Sequence, residues 1–99
     1  MRQQPKYLEQ SLGYNFSNNK LLIQALTHRS YSDQNNERLE FLGDSLLGVI
    51  ITQELYDRFP TAQEGDLSRV RSSLVNGDAL SDMANEFEIS KYILLFYIL

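Results

Sequence analysis

The chain of 99 residues contains no cysteine, so it can form no disulfide, no zinc–thiolate site and no thiol nucleophile. A chain without cysteine fits a reducing compartment. Long apolar runs are also missing. Residues 1–10 lack the apolar core of a signal peptide, and the apolar run at 92–99 is far shorter than the ~20 residues of a membrane-spanning helix. We therefore expect a cytoplasmic protein that does not associate with membranes.

An excess of positive charge is missing as well. Nine Lys and Arg residues stand against 13 Asp and Glu residues, which gives a formal net charge of −4. A protein that holds nucleic acid by charge alone should be basic. The charge therefore argues against a polyanionic ligand unless cations or another domain change the local field. With 42% hydrophobic and 22% charged residues, the chain has the composition of one globular domain.

Short polar breaks divide the sequence into helical segments. Pro5 fits the first residue of a first helix, and Gly13 fits its left-handed end. Ser17 or Asn18 fits the N-cap of a second helix, whose apolar run reaches Leu26. The polar residues that follow predict a loop.

A third and longer helix is predicted over residues 36–59, because Pro60 prevents its continuation. Thr61 and Glu64 fit a capping box that opens a fourth helix. Asn76 fits the N-cap of a fifth, amphipathic helix. The apolar face of this last helix comprises Leu80, Met83, Ala84 and Phe87. No segment alternates like a strand, so the sequence predicts an all-α bundle.

Three carboxylates lie within the most apolar of these helices, in the stretch NERLEFLGDS at residues 36–45. Glu37, Glu40 and Asp44 follow the spacing i, i+3, i+7 and fall within an arc of about 60°. The opposite side forms the predicted core stripe of Leu39, Leu42, Leu46, Val49, Ile50 and Gln53. Since apolar residues also share the acidic side, the helix is expected to be buried on most sides. Its acids should then lie in a cleft or an interface.

Like charges one turn apart and partly desolvated raise each other's pKa and oppose folding. At an effective dielectric constant near 20, two such charges about 6 Å apart repel by roughly 3 kcal/mol. No lysine lies on this face, so a divalent metal such as Mg²⁺ is the simplest counter-ion. Two alternatives stay open. Glu37 can complement the helix dipole, and acids at this spacing are common on solvated faces.

The stretch ERLEFLGDSLL, at residues 37–47, resembles the signature motif of the ribonuclease III family. Residues 12–31, LGYNFSNNKLLIQALTHRSY, resemble the N-terminal segment of that family, and residues 55–95 resemble its next stretch. The resemblance therefore runs from about Leu8 to Leu95. It implies an all-α ribonuclease III-type endonuclease domain that forms a homodimer. Such a domain cleaves double-stranded RNA during rRNA and mRNA processing, with Mg²⁺ or Mn²⁺ as cofactor.

The resemblance also assigns roles by position. Glu40 matches the metal ligand, and Asp44 matches the catalytic carboxylate at the metal. Glu37 and Glu64 match auxiliary acidic positions, although the capping box offers Glu64 a second role. Phe41 matches the residue that the family packs across its dimer interface, which would explain an aromatic on the acidic side.

Three other candidates are interpreted as structural. His28 is the only histidine, and we expect it to form a structural hydrogen bond rather than to act in catalysis. Arg69 and Arg71 are two residues apart on a predicted helix and therefore point in different directions. We interpret each as an ordinary solvated or paired arginine rather than as a phosphate ligand.

The sequence departs from the family in two respects. The family's later helix carries an Asp-x-x-Glu pair, and no Asp in these 99 residues is followed three positions later by Glu. The match fades after residue 95, and these 99 residues contain no double-stranded-RNA-binding domain. We therefore expect residues 1–99 to be the N-terminal portion of a nuclease domain, truncated, that folds marginally, associates and cleaves slowly if at all. The alternatives are a non-catalytic dimerising remnant of the family and a plain helical protein with solvated acids.

Overall fold

Five α-helices account for most of residues 3–95, the part of the chain that this computed structural model describes. They are α1 (Pro5–Leu12), α2 (Asn19–Ala25), α3 (Glu37–Arg58), α4 (Glu64–Leu74) and α5 (Gly77–Glu86). A short 3-10 helix follows at Ile89–Lys91. An isolated parallel bridge joins Thr27 to Leu94, and no other extended pairing occurs in this part of the chain. The all-α prediction is confirmed. No helix of residues 3–95 has the length and apolarity that crossing a bilayer requires.

The predicted helix ends are confirmed where a single residue determines them. Pro5 begins α1, and Gly13 ends it with a φ of 69° in the left-handed region, which glycine adopts without steric cost. The N-cap of α2 is Asn18 rather than Ser17, because its side-chain oxygen accepts the Lys20 N–H at 3.1 Å. Asn76 caps α5 in the same way.

The predicted capping box at the start of α4 is wrong. Gln63 is the N-cap and no side chain caps the helix, so Thr61 lies two residues before the cap. The cause is the turn over residues 59–62, in which the Ala62 N–H donates to the Phe59 carbonyl oxygen at 3.1 Å. This turn occupies Thr61, and the helix begins only at Glu64.

The hydrophobic core lies between α1, α2 and the segment that follows α5. Its buried members are Leu8, Leu22, Leu26 and Tyr92. The partly buried side chains that pack against them are Phe16, Phe87, Ile89 and Ile93. Residues distant in sequence therefore share one small core.

Asn36 fixes the beginning of α3 against this core. Its side-chain amide donates to the Ala25 carbonyl oxygen at 3.1 Å, and its own N–H donates to the Thr27 carbonyl oxygen at 3.0 Å. Thr27 is itself buried, and its hydroxyl donates to the Ile23 carbonyl oxygen at 2.6 Å. The acidic turn of α3 thus starts from a fixed point at the end of α2.

The rest of α3 extends away from the core. A helix of 22 residues is about 33 Å long, and the molecule measures 51 × 25 × 22 Å. Its radius of gyration is 16.0 Å, whereas a compact domain of this length would have about 13 Å. Leu55 is the one buried residue of α3. The prediction of a helix buried on most sides is therefore wrong for this chain.

The residues of the predicted core stripe are likewise exposed rather than buried. Four of its aliphatic side chains are 54–63% exposed, and they are Leu42, Leu46, Val49 and Ile50. Within residues 3–95 no element covers them.

Candidate functional site

An open cleft of about 650 Å³ lies along the first half of α3. We call it the acidic cleft, and it is lined by Glu37, Glu40, Phe41, Gly43, Asp44, Ser45, Leu47 and Leu80. The three carboxylates of the signature stretch therefore share one opening, as the spacing predicts. The opposite wall comes from α5 through Leu80.

The three carboxylates are exposed to solvent, so the expectation that they are partly desolvated is wrong. In water, two charges about 6 Å apart repel by less than about 1 kcal/mol, and folding does not require a counter-ion here. No cation of residues 3–95 pairs with these acids. The ion pairs of that part of the chain are Arg58–Glu54, Arg69–Asp66 and Lys91–Glu88. The acidic cleft thus presents carboxylates without a competing partner from this part of the chain.

Two of these carboxylates have the i, i+4 spacing that places side chains on the same helix face. Glu40 and Asp44 are four residues apart and lie one above the other on the same helix face. Mg²⁺ is typically held by one or two carboxylates and keeps several waters. In the described part of the chain, no group of three or more Asp, Glu, His or Cys side chains is placed to hold one ion. The donor set present therefore fits a metal bound through two protein ligands and water.

Glu64 does not line the acidic cleft. It borders a separate pocket of about 180 Å³ between α3 and α4, together with Leu55 and Arg71. One oxygen of its carboxylate accepts a hydrogen bond from the Ser68 hydroxyl at 3.0 Å. Its auxiliary role stays a prediction, and its side-chain hydrogen bond is with Ser68 of the same helix.

Phe41 lines the acidic cleft and is 80% exposed. An aromatic side chain this exposed beside three acids has no packing role among residues 3–95. Leu80 is a lining residue whose position the sequence did not predict. Helical periodicity placed it on the apolar face of the fifth helix, but the periodicity of one helix does not identify the helix that it faces.

The hydrogen bond predicted for the histidine is present and both arginines have partners, while their absence from the site chemistry stays a prediction. The His28 Nδ1 atom lies 2.8 Å from the Ser30 hydroxyl and accepts the Ser30 N–H at 3.1 Å. Arg69 pairs with Asp66 on the surface of α4. Arg71 donates to the Thr52 hydroxyl at 3.0 Å and so links α4 to α3.

Comparison with known proteins gives one consistent family. The family model described as Ribonuclease-III-like matches residues 18–97. The chain is 54% identical over 88 residues to a protein named Ribonuclease 3 from Shewanella denitrificans, covering 89% of this chain and 39% of that protein. It is 56% identical over 84 residues to Ribonuclease 3 from Proteus mirabilis, covering 85% and 37%. The chain therefore spans less than half the length of these relatives.

Two solved structures of the nuclease domain of ribonuclease III from Campylobacter jejuni are similar to this fold. The first structure is described as showing structural flexibility in the region involved in dimer formation of that nuclease domain. Its match to this chain has a TM-score of 0.91 at 43% identity and covers 95% of this chain and 66% of that chain. The other, at 2.2 Å resolution, has a TM-score of 0.86 at 44% identity and covers 93% and 63%. With a family match over most of its length and this shared arrangement of helices, the chain belongs to the ribonuclease III family.

Proposed function

We propose that the acidic cleft is the carboxylate part of a Mg²⁺-dependent endonuclease site for double-stranded RNA. Glu40 is assigned as a metal ligand, and Asp44 as a metal ligand and the catalytic carboxylate. The observation that carries this proposal is that Glu37, Glu40 and Asp44 line one open cleft without an ion-pair partner among residues 3–95. Membership in a family whose relatives are named Ribonuclease 3 supports it.

The chemistry of this site follows from its donor atoms. When bound, Mg²⁺ or Mn²⁺ lowers the pKa of a coordinated water and offsets charge on phosphodiester oxygens. Glu40 and Asp44 would hold the ion through hard carboxylate oxygens on one side of α3. Glu37 adds a third negative charge that concentrates cations in the cleft. The expected products carry 5′-phosphate and 3′-hydroxyl ends.

Double-stranded RNA is proposed as the substrate because of the family and because of the shape of the acidic cleft. A-form duplex RNA is recognised through its shape, phosphates and 2′-hydroxyl groups, and an open cleft on an exposed helix leaves room for such a rigid duplex. The net charge of −4 opposes the approach of a polyanion. We therefore expect weak RNA affinity, which divalent cations at the cleft would partly restore.

We further propose that the 99 residues correspond to the N-terminal portion of a nuclease domain. The chain covers only 66% and 63% of the two solved nuclease domains, and it contains no Asp-x-x-Glu pair. Two carboxylates hold a catalytic metal less firmly than a complete set of ligands does. Cleavage of duplex RNA by these 99 residues alone is therefore slow or absent.

Divalent-ion binding tests the proposed site directly. Titration of the ¹⁵N-labelled chain with Mn²⁺ is expected to broaden the amide resonances of residues 40–47 first, since paramagnetic broadening decreases steeply with distance from the ion. Excess Mg²⁺ should displace the Mn²⁺, and EDTA should restore the resonances. Asp57 provides an internal control, because it is an exposed carboxylate about 20 Å further along α3 than Asp44. Equal broadening at both ends of α3 would contradict a specific site.

A second candidate is a non-catalytic module that pairs with a copy of itself through the acidic side of α3. The exposed ring of Phe41 favours it, because a large isolated aromatic is a typical interface anchor. Phe41→Ala should weaken self-association about tenfold or more in sedimentation equilibrium. Tyr31→Ala removes another exposed aromatic, 53% exposed in the loop before α3, and should change nothing. A wild-type chain that stays monomeric, or equal effects of both changes, would exclude this candidate.

A further inference from the structure

Asn76 connects two helices through its side-chain amide. The amide oxygen accepts the Ala79 N–H at 2.8 Å and caps α5. The amide nitrogen donates to the carbonyl oxygens of Ser72 and Ser73 at 2.9 and 3.2 Å, in the last turn of α4. A helix leaves its first N–H groups and its last carbonyl groups without internal partners. One side chain therefore satisfies groups of both helices, and residues 72–79 are called the α4–α5 joint below.

The residue that follows this cap is glycine, and Asn76–Gly77 is the only Asn-Gly pair of the 99 residues. The backbone nitrogen of the residue after an asparagine can attack the side-chain carbonyl carbon. Glycine permits this attack best, because it has no Cβ to hinder the approach. Both residues are exposed, so water reaches the side-chain amide. The pair therefore has the chemistry of a deamidation site.

The hydrogen bonds of the α4–α5 joint oppose this reaction while the joint is closed. Ring closure requires the Asn76 side chain to turn toward the Gly77 nitrogen, whereas three hydrogen bonds direct the amide toward other groups. The backbone of Asn76 is extended, with φ of −141° and ψ of 171°, and a five-membered ring requires ψ to leave this value. The reaction therefore proceeds from an open state, in which the first turn of α5 has frayed.

We propose that Asn76–Gly77 is a deamidation site of the folded chain, with a rate set by opening of the α4–α5 joint. In the open state the Gly77 nitrogen forms a bond to Cγ of Asn76, and the bond from Cγ to Nδ2 breaks. The proton of the Gly77 N–H leaves with Nδ2 as ammonia. Water then opens the succinimide at either carbonyl and gives aspartate or isoaspartate, with no change of oxidation state. The reaction needs neither metal nor RNA, so it is independent of the proposed nuclease function.

Both products weaken the α4–α5 joint. Aspartate keeps an oxygen for the Ala79 N–H, but it has no N–H for the carbonyl oxygens of α4 and adds negative charge at the negative end of that helix. Isoaspartate also adds one carbon to the backbone between residues 76 and 77. This displaces the Asn76 carbonyl oxygen, which accepts the Leu80 N–H at 3.0 Å. Since Leu80 forms the opposite wall of the acidic cleft, deamidation loosens that wall.

Peptide mapping by mass spectrometry tests the site. After incubation of the folded chain at neutral pH, we expect the mass gain of amide-to-carboxyl conversion at Asn76, with aspartate and isoaspartate separated by chromatography. Conversion should be about tenfold or more slower than in guanidinium chloride that unfolds the chain, because the cap and its partner bonds must first open. Asn18 is the internal control. It caps α2 by accepting the Lys20 N–H at 3.1 Å, but Asn19 follows it, so it should stay intact.

Gly77→Ala is the matched variant. A Cβ at this position would meet no atom within 4 Å, and Gly77 has no positive φ, so the fold should tolerate the change. The added methyl group should slow deamidation about tenfold or more. The proposal is overturned by an unchanged rate in this variant, by equal conversion of Asn18 and Asn76, by equal rates in the folded and unfolded chain, or by no conversion in the folded chain.

Hydrogen exchange measures the effect on the α4–α5 joint. In the deamidated chain the amides of Ala79 and Leu80 should exchange about fivefold faster or more, because the cap of α5 is weakened. Asn76→Asp gives the aspartate product directly and should lower the protection of the last turn of α4. Unchanged exchange in both samples would contradict the predicted weakening of the joint.

Discussion

Asp44→Asn is expected to abolish divalent-ion uptake at the acidic cleft and to lower any Mg²⁺-dependent cleavage of duplex RNA by about 100-fold or more. The change replaces one carboxylate oxygen by an amide nitrogen and removes one negative charge at almost constant volume. A neutral amide is a poor ligand for Mg²⁺, which prefers charged oxygen donors. Glu40 alone would then have to hold the ion. Mn²⁺ titration by NMR and a gel assay on duplex RNA measure the two effects.

The fold should tolerate this substitution. Asp44 is exposed and makes no ion pair with residues 3–95, and surface changes of this kind usually alter the free energy of unfolding by less than about 0.5 kcal/mol. A loss of metal binding would therefore report on the site and not on unfolding. Urea denaturation of the variant provides that check.

Asp57→Asn is the matched control for Asp44→Asn. It makes the same chemical change on the same helix, about 140° around the helix axis from Asp44, and it changes the net charge equally. If both variants bind metal as the wild type does, the acids of α3 are merely solvated and the protein is a plain helical one. If both lose binding to the same degree, the effect is general electrostatics. Loss in Asp44→Asn alone supports the proposed site.

The local features of the fold could be predicted because single residues determine them. Pro5, Gly13 and Asn76 each act through their own backbone or side chain, and each begins, ends or caps a helix as expected. The prediction of a capping box was wrong, because a pattern of two residues also occurs where no helix begins. Thr61 and Glu64 have the required spacing, but the turn over residues 59–62 places Thr61 outside the helix.

The burial of α3 could not be predicted, because an apolar stripe shows which residues favour a partner and not whether the chain contains one. The pattern assigned Leu46 and Val49 to the core stripe, yet both are more than half exposed. The same limit applies to the site. The helical period brought Glu37, Glu40 and Asp44 together, since that relation lies within one helix. That Leu80 faces the acids depends on tertiary packing that no single helix specifies.

The small core explains why we expect the chain to be only marginally stable. Five hydrophobic side chains are buried among residues 3–95, and four of them form one cluster. Domains of about this size have a free energy of unfolding of roughly 5–15 kcal/mol. An elongated chain with so few buried side chains should lie near the lower end of that range. A single truncation in the core can then remove most of the stability.

Leu22→Ala is expected to lower the melting temperature by about 10 °C or more, or to abolish the cooperative transition. Leu22 is 2% exposed and packs with Leu8, Leu26 and Tyr92, and truncation of a buried leucine costs about 2–5 kcal/mol. At this chain length each kcal/mol corresponds to roughly 4–8 °C. Leu21→Ala makes the same change at the neighbouring position, which is 42% exposed, and should shift the transition by less than about 5 °C. Equal shifts of the two variants in differential scanning calorimetry would show that the core does not lie where α1 and α2 meet.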